Sequence, residues 1–435
     1  MRILIKGGSV LDPGNPDAKY KKVTDIIVED GKIAEISNSA DFIKVSQIPN
    51  FECIVDASGK IVTPGLIDMH VHLREPGHEY KETIESGCLA AARGGFTAVC
   101  AMPNTHPVND SRQVTEYIIR RAAEAGAARV FPAAAISKGS QGKGLCEYGE
   151  LREAGAVALT DDGLPVMNSQ LMRRAMEYAK GFGLPIISHC EDIHLAADGV
   201  MNEGAFATRM GLAGIPNVAE SVMVMRDIAL CEITGTRLHI AHVSTKESVR
   251  AVREAKKRGV RVTAETAPHY FTLTDESVGE YDTHAKMNPP LRSSEDREAV
   301  IEGLADGTLD VIATDHAPHS VLEKEVEFDQ AANGIIGLET SLSLSLGLVV
   351  KGILTMESLV EKMSANPARI LGLEYGIKPG MLADVTIIDP DRAYVVNADN
   401  FRSLSRNTPF DGWEMKGKAV LTMVGGNIVF DELST

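Results

Sequence analysis

Between residues 66 and 314 the chain keeps one alternation. Apolar runs of strand length stand at 66–72, 97–102, 130–136, 156–160, 185–188, 238–243, 260–265 and 311–314. Helical patterns lie between most of them, at 80–93, 111–125, 168–180, 219–234, 245–258 and 294–306. Each is followed by a glycine, and several open on Ser, Thr or Asn. A helix end needs such residues: an N-cap oxygen takes up a free backbone N–H, and glycine tolerates the left-handed turn past the last residue. Only the connection around 150–154 is short. Eight strands alternating with helices predict a (β/α)8 TIM-like barrel. The strand count alone also allows an open doubly wound sheet, and the polar residues help to decide.

The two ends differ from this middle and resemble each other. Short β-type runs at 3–5, 25–28, 33–36 and 54–55, with a hairpin signal at Asp30-Gly31, are matched by runs at 384–388, 394–396, 419–424 and 428–430 around Gly425-Gly426-Asn427. The pattern predicts a small β-sandwich domain formed by both termini. Its parts are 1–61 and 373–435, with the barrel at 62–372. The 435 residues would make about three average domains, yet a barrel uses roughly 250 alone.

Composition narrows the function classes. With 44% hydrophobic and 24% charged residues the chain is neither disordered nor fibrous. A net charge of −16, with no basic stripe, argues against nucleic acid as a partner. The opening Met-Arg-Ile-Leu-Ile-Lys-Gly-Gly has too short an apolar run for a signal peptide. The longest apolar stretch, 338–354, is interrupted by Glu339, Thr340, serines and Lys351, so no membrane span is expected. The six cysteines form no C-x-x-C pair and read as reduced. The expectation is a cytoplasmic protein.

Metal-competent residues stand where the strands end. His70 and His72 close the first run, two apart and therefore on one face. Asp161 and Asp162 close the fourth, His189 the fifth, His242 the sixth, and Asp315-His316 the eighth. In a barrel the carboxyl ends of all strands meet at one mouth, so five distant positions converge. Imidazole and carboxylate together suit zinc and similar ions. His239, inside a strand, reads as a packed residue, and His78, His106, His194 and His284 as loop or surface residues.

Asp68-Met-His-Val-His72 after Thr63-Pro-Gly-Leu-Ile, with Ser188-His189, His242-Val-Ser and Thr314-Asp-His316, resembles the amidohydrolase superfamily. His70-Val-His-Leu-Arg74-Glu-Pro-Gly, Ala101-Met-Pro-Asn-Thr105, Thr160-Asp-Asp-Gly163, Met287-Asn-Pro-Pro-Leu-Arg292 and Asp315-His-Ala-Pro-His319 resemble, within it, the type I dihydroorotases. The resemblance runs the whole length. It implies zinc-dependent, reversible hydrolysis of L-dihydroorotate to N-carbamoyl-L-aspartate, in de novo pyrimidine (UMP) biosynthesis. It implies His70, His72 and Asp315 on one zinc, His189 and His242 on a second, and Asp162 and a hydroxide as bridges. One zinc is the alternative, and adjacent Asp161 competes with Asp162. Asp315 is implied as the catalytic acid–base. His72, Arg74, Asn104, Asn288, His319, Asn333 and Gly334 are implied as substrate contacts. The loop that reads Pro-aromatic-Gly or Pro-Ser-Gly in the family reads Ala331-Ala-Asn-Gly334 here, and Gly334 is expected to offer its backbone amide. A homodimer, and a complex with aspartate transcarbamoylase, are the implied partners. Hydantoinases and allantoinases share fold and metals. Many of them carry a carbamylated lysine bridge, and no lysine ends the fourth strand here. A silent structural homologue would lack the histidines, and a phosphotriesterase-like hydrolase would lack the Met-Pro-Asn-Thr and Asn-Pro-Pro-Leu-Arg segments.

Overall fold

The computed structural model of the chain describes residues 1–15, 23–38 and 51–433. Its first strands are β1 (Arg2–Val10), β2 (Val23–Glu29), β3 (Lys32–Asn38), β4 (Cys53–Asp56) and β5 (Ile61–Pro64). Eight parallel strands follow: β6 (Leu66–Val71), β7 (Phe96–Ala101), β8 (Arg129–Ala134), β9 (Ala158–Leu159), β10 (Ile186–Ser188), β13 (Leu238–Ile240), β14 (Val262–Thr266) and β15 (Val311–Ile312). A two-strand ladder of β11 (Met201–Asn202) and β12 (Gly214–Ile215) lies outside their order. The chain ends in β16 (Val385–Val395), β17 (Glu414–Val424) and β18 (Asn427–Asp431).

The parallel sheet closes on itself. Asp68 of β6 accepts the Thr314 amide at 3.1 Å, His72 donates its amide to the His316 carbonyl at 2.8 Å, and Val71 bridges to His316. Met69, Cys100, Ala133, Ala158, Ile187 and Val311, one from each of six strands, share an apolar cluster with Leu371, so the barrel is packed rather than hollow. Each expected strand is present. Principal helices around them are α1 (Ile84–Gly94), α2 (Arg112–Ala125), α3 (Tyr148–Ala154), α4 (Ser169–Gly181), α5 (Asn217–Thr234), α6 (Lys246–Lys257), α7 (Ser294–Ala305) and α8 (Ser341–Val350). α1 starts at residue 84 rather than 80, because Thr83 and Ser86 form a capping box there. α3 occupies the connection that the sequence shows as short.

The terminal strands form one ladder in the order β18-β17-β16-β5-β1-β2-β3, with β4 on β1. It curls back, since the β2–β3 turn at Gly31 meets the β17–β18 turn at Gly425 and Gly426. Between its faces lies a second core of Ile3, Ile5, Ile26, Val28, Val385, Ile387 and Met423. The runs 384–388 and 394–396 are a single strand. The register against β17 shifts between Asp389 and Ala393, so the polar residues between the runs form a bulge and do not end the strand. This domain rests on the barrel through Thr386 and Thr422, whose hydroxyls donate to the carbonyls of Gly95 and Ala92 at 2.6 Å each. Among the described residues no helix is long and apolar enough to cross a membrane.

Candidate metal centre

The carboxyl ends of the barrel strands deliver two overlapping triads. His70, His72 and Asp162 form one, and Asp162, His189 and His242 the other. All are buried, with ligand atoms within 4.8 Å of one another in each triad. Asp162 is the shared member. Its Oδ1 lies 3.3 Å from His70 Nε2 and 3.7 Å from both His189 Nδ1 and His242 Nε2, and its Oδ2 lies 3.5 Å from His72 Nε2. Asp315 joins the first triad, with Oδ1 3.1 Å from His72 Nε2 and 3.5 Å from His70 Nε2. Asp161 turns the other way and accepts the Ser137 amide at 3.0 Å and its hydroxyl at 2.5 Å. Between the adjacent aspartates, the structure therefore brings Asp162 to the cluster. His316 also turns away. Its Nδ1 accepts the Gly337 amide at 3.1 Å and its Nε2 faces Glu82 at 3.3 Å.

Outer partners aim the imidazoles. His70 Nδ1 is 2.6 Å from Glu265 Oε1, and His72 Nδ1 is 2.8 Å from Asn104 Oδ1. With those nitrogens turned outward, both Nε2 atoms face inward, the arrangement by which a neutral imidazole presents its lone pair to a metal in one tautomer. The buried atoms His70 Nε2, Asp162 Oδ1 and His189 Nε2 have no hydrogen-bond partner, and His189 Nδ1 meets His242 Nε2 at 2.8 Å. Buried polar atoms left unpaired at this density cost free energy unless something completes them. Imidazole nitrogens and carboxylate oxygens are a donor set for zinc or a similar divalent ion, so these residues fit one.

Glu265 is the functional residue that the sequence reading left out. It also accepts from His239 Nε2 at 3.0 Å, so His239 is tied to the site through a carboxylate and is more than packing. The signal was available, because Glu265 ends the seventh apolar run as the other polar residues end theirs.

Beside the triads lies a cavity of about 200 Å³ whose lining includes His72, Arg74, Asn104, Asn288, Asp315, His319, Asn333 and Gly334. The Arg74 Nε donates to the Pro318 carbonyl at 3.1 Å, and its Nη2 lies 3.3 Å from His319 Nε2. That His319 nitrogen is 2.8 Å from the Asn333 carbonyl, which can only accept, so Nε2 carries the proton. His319 Nδ1 and Asn288 Oδ1 are buried without partners. Gly334 lines the cavity, but its amide is already engaged, donating to the Lys286 carbonyl at 3.0 Å. Its contribution is a missing side chain, for at φ +124° a Cβ would stand 2.5 Å from the Ala317 Cβ. Three site residues, Arg74, His242 and Asp315, hold φ of +63°, +31° and +49°. Strain of this kind costs roughly 1–3 kcal/mol per residue and persists where packing over-determines it.

Burial and charge compete here. Burial would raise the Asp315 carboxyl, but His70 and His72 hold it at about 2. Burial would lower His189, but Asp162 and Glu191 lift it to about 10. His319 falls to about 3 through burial and the nearby Arg74, and is neutral. Burial brings Arg74 down only to about 10, so it stays charged at neutral pH.

A closed eight-stranded barrel with imidazoles and carboxylates at its mouth, carrying a β domain built from both termini, defines the amidohydrolase class of metal-dependent hydrolases. Residues 59–248 match a family model described as dihydro-orotase-like. The dihydroorotase of Desulforapulum autotrophicum is 61% identical over 430 residues, 99% of each chain. That of Syntrophus aciditrophicus is 57% identical over 434 residues, 99% of this chain and 100% of its own. Among solved structures, L-hydantoinase (dihydropyrimidinase) from Arthrobacter aurescens superposes with a TM-score of 0.86 at 28% identity, covering 99% of this chain and 96% of that one. The chain belongs to the dihydroorotase family and is a cyclic amidohydrolase.

Proposed function

We propose that the enzyme opens the cyclic amide of L-dihydroorotate, reversibly, to N-carbamoyl-L-aspartate, the dihydroorotase step of de novo pyrimidine biosynthesis. The observation that carries the reading is a charged, buried Arg74 in the same small cavity as two metal-competent triads. In this reading His70, His72 and Asp315 hold one zinc, His189 and His242 a second, and Asp162 both, with a single zinc as the simpler version. Bound zinc lowers the pKa of water toward neutrality and polarises a carbonyl oxygen.

The chain's own residues do the rest. Asp315, ionised at neutral pH, takes the proton of the attacking water and passes it to the leaving ring nitrogen. Arg74 and Asn104 hold the substrate carboxylate. The guanidinium is fixed through Nε and leaves its outer nitrogens for a planar anion. Asn288 Oδ1 and His319 Nδ1, without hydrogen-bond partners among the described residues, suit the ring's polar edge. Asn333 turns His319 to that orientation, and Gly334 makes room. The net charge of −16 does not repel the anion at this point, because local charge in a concave site outweighs surface charges beyond a Debye length of about 8–10 Å. The same reading divides the chain at 61/62 and 372/373. It includes a cytoplasmic homodimer and an association with aspartate transcarbamoylase.

A hydantoinase is the second reading, favoured by the superposition on the Arthrobacter enzyme. Asp162 at the end of β9, where no lysine stands, and Arg74 in the cavity favour dihydroorotate. The test is dihydroorotate and hydantoin hydrolysis after chelation and titrated return of zinc. Activity on dihydroorotate that returns with zinc is expected. Activity indifferent to metal overturns the mechanism, a plateau at one zinc per chain removes the two-ion version, and preference for hydantoin reverses the substrate.

A further inference from the structure

Lys324 is among the largest fully buried side chains, 1% exposed, and lies on the short helix Val321–Lys324 above the barrel mouth. Among the described residues no carboxylate oxygen stands within 4.0 Å of its ammonium. Three backbone carbonyls converge on it instead, those of Lys286 at 3.2 Å, Ala332 at 2.8 Å and Gly334 at 3.1 Å. An ammonium has three N–H donors, so each is used. Burial and the nearby Lys286 bring the group down to about 7, a measure of what holding a proton there costs. A lysine so buried, with Asp282 acting on it only from beyond ion-pair distance, calls for an explanation beyond packing.

The three carbonyls belong to two segments that both reach the substrate cavity. Ala332 and Gly334 flank Asn333, whose carbonyl orients His319 beside Arg74. Lys286 is two residues before Asn288. Other bonds join the same segments. Gly334 donates its amide to the Lys286 carbonyl, and Lys286 Nζ donates to the Asp329 carbonyl at 2.9 Å. Asn407 Nδ2 donates to Gly334 and Ala317 at 3.0 and 2.9 Å. The Lys324 ammonium bonds the carbonyls of Ala332 and Lys286 together.

We infer that Lys324 is a positioning residue, a clamp that ties the loop carrying Asn333 and Gly334 to the segment carrying Asn288 and so sets the wall of the cavity beside Arg74. Its effect on substrate rests on the dihydroorotate reading above, while the clamp itself does not. Lys324 is not part of the cavity lining. It acts through backbone that would otherwise have to be ordered each time substrate binds, a cost that appears in KM.

The test uses full-length, zinc-loaded enzyme with Lys324→Met and the milder Lys324→Gln. Steady-state kinetics on dihydroorotate are paired with hydrogen exchange, the Gly334 amide being the reporter. Lys324→Met should raise KM about tenfold, the worth of one charge-assisted hydrogen bond. Lys324→Gln should raise it less, with kcat within about threefold and zinc content unchanged in both. Exchange should accelerate at 331–335 and not along β6 to β10. Unchanged KM with unchanged Gly334 exchange would overturn the clamp. So would equal losses in kcat and kcat/KM with faster exchange throughout the barrel, which is general damage. If Lys324→Met does not fold, Lys324→Gln decides by the same two readouts. A wild-type enzyme inactive on dihydroorotate would sink the substrate reading, and Gly334 exchange alone would then decide the clamp.

Discussion

Asp315 holds a charge in a place that discourages charge, and the imidazoles facing it are the reason. Replacing it with Asn keeps shape and removes the proton carrier. Asp315→Asn should cut kcat by about 10²–10⁴-fold, the usual worth of acid–base catalysis, with a small change in KM. Turnover near that of wild type at full zinc content would refute the role. Arg74→Ala should do the opposite, raising KM about 10–100-fold as a charged hydrogen-bond partner is lost, which substrate titration measures. His189 supplies a pH prediction. Its proton, held up to about 10 against an ordinary value near 6.5, stabilises the metal-free chain fully below pH 6.5, and that contribution is lost as pH rises through 10. Zinc must displace the same proton. Zinc affinity should therefore rise with pH between 6.5 and 10, and binding at pH 7.5 should release protons into a weak buffer. Affinity flat over that window would contradict the assignment of His189.

At the scale of elements, short strands with polar last residues do two jobs. Their apolar bodies fill the barrel, and their ends present the chemistry, which is why the site was largely legible as a list of strand ends. Helix ends were legible too. Asn168 accepts the amides of Gln170 and Leu171 at 2.9 and 3.1 Å and so starts α4. Asn168→Ala should cost about 1 kcal/mol, a loss of a few degrees in Tm by calorimetry, with kcat unchanged, because this exposed cap serves the outer layer only. What escaped local reading were features set by a neighbour. The bulge in β16 exists because β17 pairs on both sides of it. α3 forms where few residues were available, because Tyr148 and Leu151 find a buried place in the main core.

For the whole molecule, the two termini meet in one domain, whose strands are fastened to the barrel end away from the site, while the segment at Asn407 reaches back to the cavity wall at Ala317 and Gly334. Asp384 receives Arg129 Nε at 2.8 Å and Nη2 at 3.3 Å, and also the Gly425 amide. Arg129 opens β8, opposite the strand end where catalysis is placed. Asp384→Ala should destabilise by about 1–3 kcal/mol, the range for hydrogen bonds to charged groups, seen as a lower Tm while kcat stays at the wild-type value. A parallel loss of kcat would mean that this contact is coupled to the active site. The barrel, the shared terminal domain and the ring of metal-competent residues were determined by the sequence alone, because periodicity, caps and strand-end polarity are local properties of a chain. Which of Asp161 and Asp162 enters the cluster, the tethering of His70 and His239 by Glu265, the engagement of the Gly334 amide and the three carbonyls around Lys324 were decided only by the tertiary structure. Each depends on where a segment distant in sequence comes to rest, and no local pattern encodes that meeting.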